Sequence, residues 1–226
     1  MCGRYNIITD AQALYDAFQV ETELADGRLA RYNVAPATEQ LVIVSEGGRR
    51  QARWHHWGLV PHWAKDKTIA YKTINARGES VGEKPAFRAA FRQRRCLVPA
   101  TGFYEWKVQE GGKQPYLIRP RSGELFAFAG LWESWAGADG ELRSFTIITT
   151  APNELMARIH ERMPAIIPRG LYARWLDPAL RDPAEIQTMI ASYPAGELQA
   201  VPVGRQINSA RNQGPELIEP AGAPLA

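Results

Sequence analysis

The chain places one of its two cysteines directly behind Met1, in the opening run Met-Cys-Gly-Arg-Tyr. If Met1 is removed, Cys2 carries a free α-amine beside its thiol. An α-amine has a pKa of about 8, against about 10.4 for a lysine side chain, so more of it is neutral and nucleophilic at pH 7. Such an aminothiol can capture an aldehyde twice, because the amine forms an imine and the sulfur then closes a thiazolidine ring. Alternatively the thiol attacks an amide, or Cys2 is simply a small buried residue.

Three further segments carry side chains suited to this chemistry. Asn75 and Arg77 lie two positions apart, so an extended backbone would place an amide and a phosphate-binding guanidinium on one face. Glu105 lies between two aromatic residues in an apolar strand pattern, where burial raises a carboxyl pKa toward the range of a general acid or base. His160 follows a short helical pattern and is of a type that exchanges protons near neutral pH. The structural alternatives are a polar loop, a surface glutamate and a structural histidine.

Metal and nucleotide sites have no support in the sequence. His55 and His56 are adjacent on a predicted strand and point to opposite faces, and no CxxC or HExxH spacing occurs near them or near His62. No GxGxxG or Walker loop is present. We therefore expect no metal and no small-molecule cofactor.

Composition indicates an ordinary globular protein. The 226 residues are 45% hydrophobic and 23% charged, which suits one domain with a sizeable core. No apolar run reaches the length of about 18 residues that a membrane span needs, and the start lacks the pattern of a secretory signal. Cys2 and Cys96 make no disulfide framework, and Cys96 is expected in the core. We expect a cytoplasmic protein, with no membrane contact and no need for more than a monomer.

Positive charge is concentrated between residues 72 and 95. The formal net charge is only +3, yet seven cations face the two anions Glu79 and Glu83 in this stretch. The cations are Lys72, Arg77, Lys84, Arg88, Arg92, Arg94 and Arg95. Such a stretch is either a solvated face or an electrostatic footprint for phosphates.

Periodicity predicts many strands and a few short helices. Helices are predicted for residues 11–18, behind a cap at Asp10, and for 84–93, 154–164, 168–178 and 183–193. Strands are predicted for residues 39–46, 50–60, 95–108, 114–120, 124–135 and 143–152, with glycine turns at 47–48 and 111–112.

Strands outnumber helices and cover the chain from end to end, and no linker divides it. We therefore expect a single α+β domain whose curved, barrel-like antiparallel sheet is flanked by short helices. The domain should span residues 1–215, and residues 216–226, rich in Pro, Gly and Ala, should form a flexible tail.

An ordered series of motifs resembles the SRAP family, the SOS-response-associated peptidases or abasic-site-processing proteins. The motifs are MCGR at the start, RYNVAP at 31–36, WGLVPHW at 57–63, NARGE at 75–79, RRCLVPATGFYEW at 94–106, FAGLW at 128–132 and IHERMP at 159–164. Each motif alone is weak, but the series covers most of the chain and its order is highly specific.

The resemblance implies a function on damaged DNA. Members of this family act on single-stranded DNA that contains an abasic site, whose ring-opened sugar is an aldehyde. The processed N-terminal cysteine, matching Cys2, forms a thiazolidine crosslink with that aldehyde and shields the lesion. The protein would then associate with the nucleoid while it is bound to DNA.

The resemblance also implies roles for individual residues. Asn75 would orient the N-terminal group and the sugar, Glu105 would move protons during ring opening, and His160 would assist imine chemistry and reversal. Positions that would bind DNA are Arg4, Asn33, Pro36, Arg77, Thr149 and Arg162. The basic stretch would form part of a groove that follows the phosphates.

Other functions remain open from the residues alone. N-terminal-nucleophile amidotransferases also begin Met-Cys-Gly, although Arg4 follows here and no Asn-Gly pair occurs in the chain. A peptidase is a further alternative, in which the bond between Met1 and Cys2, broken by self-cleavage, could be the only peptide bond that the protein cleaves. A non-catalytic module for single-stranded DNA would need the basic face but not Cys2.

Overall fold

The structure, a computed structural model, describes residues 2–24, 29–138 and 140–225. The strands are β1 (Tyr5–Ile7), β2 (Arg31–Val34), β3 (Glu39–Glu46), β4 (Arg49–Trp57), β5 (Asn75–Arg77), β6 (Arg95–Ala100), β7 (Gly102–Gln109), β8 (Gly112–Pro120), β9 (Phe126–Gly137), β10 (Gly140–Thr150), β11 (Met163–Pro164), β12 (Ile166–Ile167) and β13 (Leu198–Pro202). The α-helices are α1 (Ala11–Phe18), α2 (Arg88–Gln93), α3 (Glu154–Ala157), α4 (Tyr172–Leu176) and α5 (Pro183–Gln187), and short 3-10 turns connect several elements.

Two sheets form the molecule. In the larger sheet, β10, β4, β3, β6 and β9 pair in that order and β9 pairs back to β10, so these five strands close into a barrel. The smaller sheet has the order β13-β8-β7-β1-β2. Most pairs are antiparallel, but β10 runs parallel to β4 and to β5. The expected α+β, strand-rich, barrel-like single domain is confirmed.

Aromatic side chains join the smaller sheet to the barrel. The ring of Tyr5 lies 5.3 Å from that of Trp57 and 5.8 Å from that of Phe128, measured between centroids. Phe103 packs edge-on against Phe128 at 5.9 Å. Tyr5 is 1% exposed and the other three are completely buried, so β1 and β7 are fixed on the barrel by large apolar contacts.

The hairpin predicted around Gly47 and Gly48 is present. Glu46 pairs with Arg49 across the turn, and both glycines have positive φ, at 59° and 78°. Two consecutive left-handed residues are what a tight hairpin turn needs, and glycine adopts that conformation without a steric penalty.

The helix predicted for residues 154–164 is much shorter in the structure. It ends at Ala157, because Met163 and Pro164 pair with Thr150 and Thr149 at the end of β10. Sheet pairing has replaced helical hydrogen bonds over this segment. The helix predicted for residues 183–193 is also shorter and ends at Gln187, after which the chain continues in turns.

The C-terminal residues differ from the loose tail expected from composition. Leu217 is 1% exposed, and the backbone N–H groups of Ala221 and Leu225 donate to carbonyls of Pro202 and Ala200 at 2.8 and 2.9 Å. Residues up to 225 therefore lie against β13, and Ala226 lies outside the described residues. In the described part of the chain, no helix is long and apolar enough to cross a membrane.

Candidate active site

Cys2 lies directly before β1 and is completely buried. Strand β1 pairs antiparallel with β7, where Tyr5 faces Phe103, and the N–H of Tyr104 donates to the carbonyl of Arg4 at 3.0 Å. In this register, the residues before Tyr5 lie alongside the residues after Phe103. Burial raises the pKa of the Cys2 thiol, and the negative charge of Glu105 raises it further. The thiol is therefore held in its protonated form.

Glu105 is the buried carboxyl of this site, at 3% exposure. Burial raises its pKa above the ordinary value of a glutamate, while the charge of a protonated His160 acts in the opposite direction. Glu105 and His160 line one cavity of about 560 Å³ together with Trp106, Lys113 and Asn208. Glu105 thus lies between Cys2, whose thiol its charge acts on, and His160, with which it lines the cavity.

A hydrogen bond from the backbone holds His160 and sets its tautomer. The N–H of Arg162 donates to Nδ1 of His160 at 3.0 Å, and the N–H of His160 itself donates to the carbonyl of Met156 at 2.8 Å. Because Nδ1 accepts this bond, the neutral ring carries its proton on Nε2. In the neutral ring the donor is therefore Nε2–H.

Asn75 and Arg77 flank Ala76 on β5, which pairs in parallel with β10. Asn75 Nδ2 donates to the carbonyl of Ile147 at 3.4 Å. Its Oδ1 is buried and accepts no hydrogen bond from any residue that the structure describes. Arg77 is exposed. The prediction that both side chains leave one face of an extended segment agrees with Ala76 being buried between them.

Arg162 connects His160 to β10. Its Nη2 donates to the carbonyl of Thr149 at 2.7 Å, and its guanidinium forms an ion pair with both carboxylate oxygens of Glu79. Thr149 is the register partner of Arg77 and is completely buried. The predicted residues Arg77, Thr149 and Arg162 therefore form one contiguous group beside His160.

Arg4 and Asn33 bind protein groups in this structure. Nη1 of Arg4 donates to Asn33 Oδ1 and to the carbonyl of Ile207, each at 2.8 Å. Asn33 is 2% exposed, and its Nδ2 donates to the carbonyls of Ile207, Ser209 and Asn212 at 3.4, 2.9 and 3.2 Å. Together they clamp the segment that carries Asn208 into the cavity wall, so their predicted contact with DNA stays a prediction.

Pro36 follows the end of β2. It is half-buried in the turn between β2 and β3 and does not line the cavity. Its predicted role in DNA binding also stays a prediction.

Sequence reasoning did not assign Trp106, Lys113 and Asn208 to the site. Trp106 donates through Nε1 to Asn208 Oδ1 at 2.8 Å, which joins β7 to the C-terminal segment across the cavity. Trp106 could have been inferred from its place beside Glu105, but nothing in the pattern around Asn208 marks that residue. Among the described residues, no cluster of His, Cys, Asp and Glu could hold a metal ion.

Two of the seven cations in the basic stretch are not free to bind phosphate. Nε of Arg94 lies 2.5 Å from Glu133, a buried carboxylate that also contacts His62. Arg95 is 4% exposed and donates to the carbonyls of Phe91, Trp175, Asp177 and Leu180. The other five cations are exposed. Arg94 and Arg95 therefore bind groups within the protein and do not add to the positive charge of the expected groove.

Comparison with known proteins extends these observations. Residues 1–210 match the family model described as SOS response associated peptidase (SRAP). The chain is 42% identical over 222 residues to the abasic site processing protein YoqW of Bacillus subtilis, covering 97% of this chain and 99% of that protein. It is 32% identical over 231 residues to the abasic site processing protein HMCES of Gallus gallus, covering 87% of this chain and 68% of that one.

A crystal structure of a protein from Bacteroides thetaiotaomicron superposes with a TM-score of 0.82 at 27% identity, over 96% of this chain and 99% of that chain. The match of the family model over residues 1–210 contains every predicted site residue, from Cys2 to Arg162. The chain therefore belongs to the SRAP family.

Proposed function

We propose that this protein processes abasic sites in single-stranded DNA by forming a covalent thiazolidine between Cys2 and the ring-opened sugar. The observation that carries the proposal is the pairing of β1 with β7, which sets the buried Cys2 alongside the segment of the buried Glu105, whose carboxyl lines a cavity shared with His160. Relatives named as abasic site processing proteins give the lesion class. Loss of Met1, which lies outside the described residues, is required to free the α-amine of Cys2.

The reaction consumes one aldehyde and releases one water. The α-amine of Cys2 adds to the aldehyde carbon and gives a carbinolamine. Glu105 in its protonated form donates a proton to the hydroxyl group, which leaves as water, and the iminium ion remains. The sulfur of Cys2 then adds to the iminium carbon and closes the ring, and the thiol proton returns to the Glu105 carboxylate.

The environment of Glu105 suits both steps. Because burial raises the pKa of this carboxyl, a protonated fraction persists toward neutral pH for the acid step. Because burial also keeps the Cys2 thiol protonated, ring closure needs a base close to sulfur, and the same carboxylate supplies it. His160, with its proton on Nε2, assists proton transfer when the crosslink reverses.

Asn75 offers a hydrogen-bond acceptor, Oδ1, to which no described residue donates. Its buried Oδ1 suits an N–H donor, and the amine of the processed Cys2 is the donor that we assign to it. Arg77 and the exposed cations of residues 72–92 contact the phosphates, and Trp106 offers a ring on which a neighbouring base can stack. Binding should therefore depend little on base sequence.

Intact-mass spectrometry after mixing the protein with an abasic oligonucleotide tests the proposal. We expect one adduct whose mass is that of the chain without Met1 plus the oligonucleotide, less one water. Cys2→Ala should give no adduct, and Cys96→Ala, which removes the other buried cysteine, should react as the unmodified protein does. An adduct on a chain that keeps Met1, or on Cys2→Ala, would contradict the mechanism.

Borohydride distinguishes the thiazolidine from an open imine. If the ring closes, prior treatment with borohydride should not change the yield of reversal, whereas an imine would be reduced to an irreversible amine.

Expression without aminopeptidase tests whether Met1 is lost by self-cleavage. In that case the unmodified chain should lose Met1 and the Cys2→Ala chain should retain it. Sedimentation of the adduct should give one protein per oligonucleotide, as expected for a monomer.

A further inference from the structure

A second cavity, of about 440 Å³, lies on the smaller sheet and shares no residue with the cavity of Glu105 and His160. Side chains of β1, β8 and β13 and of the loops beside them form its wall. The residues that line it are Asn6, Ile8, Thr101, Leu117, Arg119, Arg121, Ser122, Gly123, Gln199 and Ile218. Arg119 lies six residues along β8 from Lys113 of the first cavity, which corresponds to about 20 Å of strand. The two cavities are therefore separate sites.

Two arginines give this cavity its charge. Arg119 and Arg121 are two positions apart around the end of β8, and both line the cavity. In the described residues, neither guanidinium has a carboxylate partner or a side-chain hydrogen bond, and Nε of Arg119 is buried with no acceptor. Arg119 is half-buried, and a buried Nε–H without an acceptor is costly, so this group suits an acceptor that a ligand would supply.

The remaining wall has both polar and apolar parts. Gln199 faces Arg119 across the pairing of β8 with β13 and adds an amide. Asn6 and Thr101 are bound to each other, with 2.8 Å between Thr101 Oγ1 and Asn6 Oδ1, and form a fixed polar edge. Leu117 and Ile218 give an apolar side. The volume lies within the range of cavities that hold small organic ligands.

We propose that this cavity binds a phosphate ester, with the phosphate on Arg119 and Arg121 and an apolar or ring-shaped part against Leu117 and Ile218. Two guanidinium forks match the oxygen geometry of phosphate, and within the described residues neither arginine has a carboxylate at ion-pair distance. The ligand is either a free ester of nucleotide size or a phosphate in a nucleic-acid chain that runs beyond the first cavity.

Calorimetric titration of the full chain with thymidine monophosphate tests this proposal, with thymidine as the ligand that lacks phosphate. We expect saturable binding of the monophosphate and none of thymidine. Arg119→Gln and Arg121→Gln should each weaken it about tenfold or more, as expected when charge-assisted hydrogen bonds are lost. Arg181→Gln, an exposed arginine that does not line the cavity, is the matched control.

An oligonucleotide arm separates the two sources of phosphate. If the free ester does not bind but Arg121→Gln weakens an intact single strand more than Arg181→Gln does, the phosphate comes from the nucleic-acid chain and the proposal stands. If both variants leave both ligands unchanged, or thymidine binds as well as its monophosphate, the proposal is wrong. Crosslinking by Cys2 serves as an independent readout, because no residue of this cavity takes part in that reaction.

Discussion

Arg162 and Glu79 form an ion pair in which the two Nη atoms lie 2.5 and 2.9 Å from the two carboxylate oxygens. Arg162 lies beside His160 and is one of the positions predicted to bind DNA, so Glu79 occupies the position that a phosphate would take if that prediction holds. The same pairing lowers the pKa of Glu79, through the hydrogen bond from Arg162, and keeps the carboxylate charged. A phosphate bound to Arg162 would therefore have to compete with the Glu79 carboxylate for one guanidinium.

Glu79→Gln should strengthen binding of intact single-stranded DNA. The substitution removes the competing charge, and exposed ion pairs contribute about 0.2–1 kcal/mol, which corresponds to a gain of up to about fivefold in affinity. Fluorescence anisotropy at low salt measures it. Glu83→Gln is the control, because Glu83 is exposed and carries the same charge in the same stretch. Equal gains in the two variants would mean that only net charge matters.

Glu105→Gln should stabilise the fold at neutral pH and slow crosslinking. Burial raises the pKa of Glu105 above its unfolded value, so the folded state loses stability as pH rises through the interval between the two values. Below the unfolded pKa, both states are protonated and glutamine brings no gain. The gain in Tm should therefore be larger at pH 7 than at pH 4, as measured by scanning calorimetry. A gain that is the same at both pH values would contradict the burial effect.

Asn33→Ala should loosen one wall of the first cavity. The change removes the donor from the half-buried hydrogen bonds to the carbonyls of Ser209 and Asn212, and each such bond contributes about 0.5–1.5 kcal/mol to stability. Urea unfolding measures the loss, and hydrogen exchange should rise in residues 207–212. Asn212→Ala removes only an exposed bond to Gln206 and should have a much smaller effect. A fall in DNA binding with unchanged stability and exchange would instead favour a direct contact of Asn33 with DNA.

His55→Phe should make the protein more resistant to acid. His55 is 1% exposed, its ring packs edge-on against Trp132, and burial lowers its pKa from 6.5 to about 4. Protonation of the buried ring is unfavourable, so the native chain loses stability as pH falls from 6.5 to about 4, by about 3 kcal/mol over that range. The difference in Tm between pH 7 and pH 4 should shrink in the variant. His56→Phe, a half-exposed neighbour, should change it less.

Local patterns made part of this structure predictable. The hairpin of β3 and β4 follows from alternating apolar residues around Gly47 and Gly48, since both signals lie within about 20 residues of chain. The extended segment with Asn75 and Arg77 on one face was predictable for the same reason. The catalytic assignments of Cys2, Glu105 and His160 rested on residue chemistry and on the order of the family motifs.

Long-range contacts were not predictable from the sequence. Arg4 meets Ile207, which lies 203 positions away, and no local pattern shows that partner. Arg94 and Arg95 look like surface cations in sequence, yet a buried carboxylate and four backbone carbonyls hold them inside. The short extent of α3 depends on pairing with β10, which also requires knowledge of the fold. Patterns of charge and of helical periodicity therefore give wrong predictions where residues distant in sequence form stronger contacts than local ones.

The clamp between Arg4 and the segment 207–208 has a consequence for biosynthesis. Arg4 is among the first residues to be synthesised, whereas Ile207 and Asn208, whose carbonyls it binds, emerge some 200 residues later. During elongation the Arg4 guanidinium therefore lacks these two acceptors. The wall that Asn208 contributes to the cavity of Glu105 and His160 can form only after the ribosome has added the last tenth of the polypeptide.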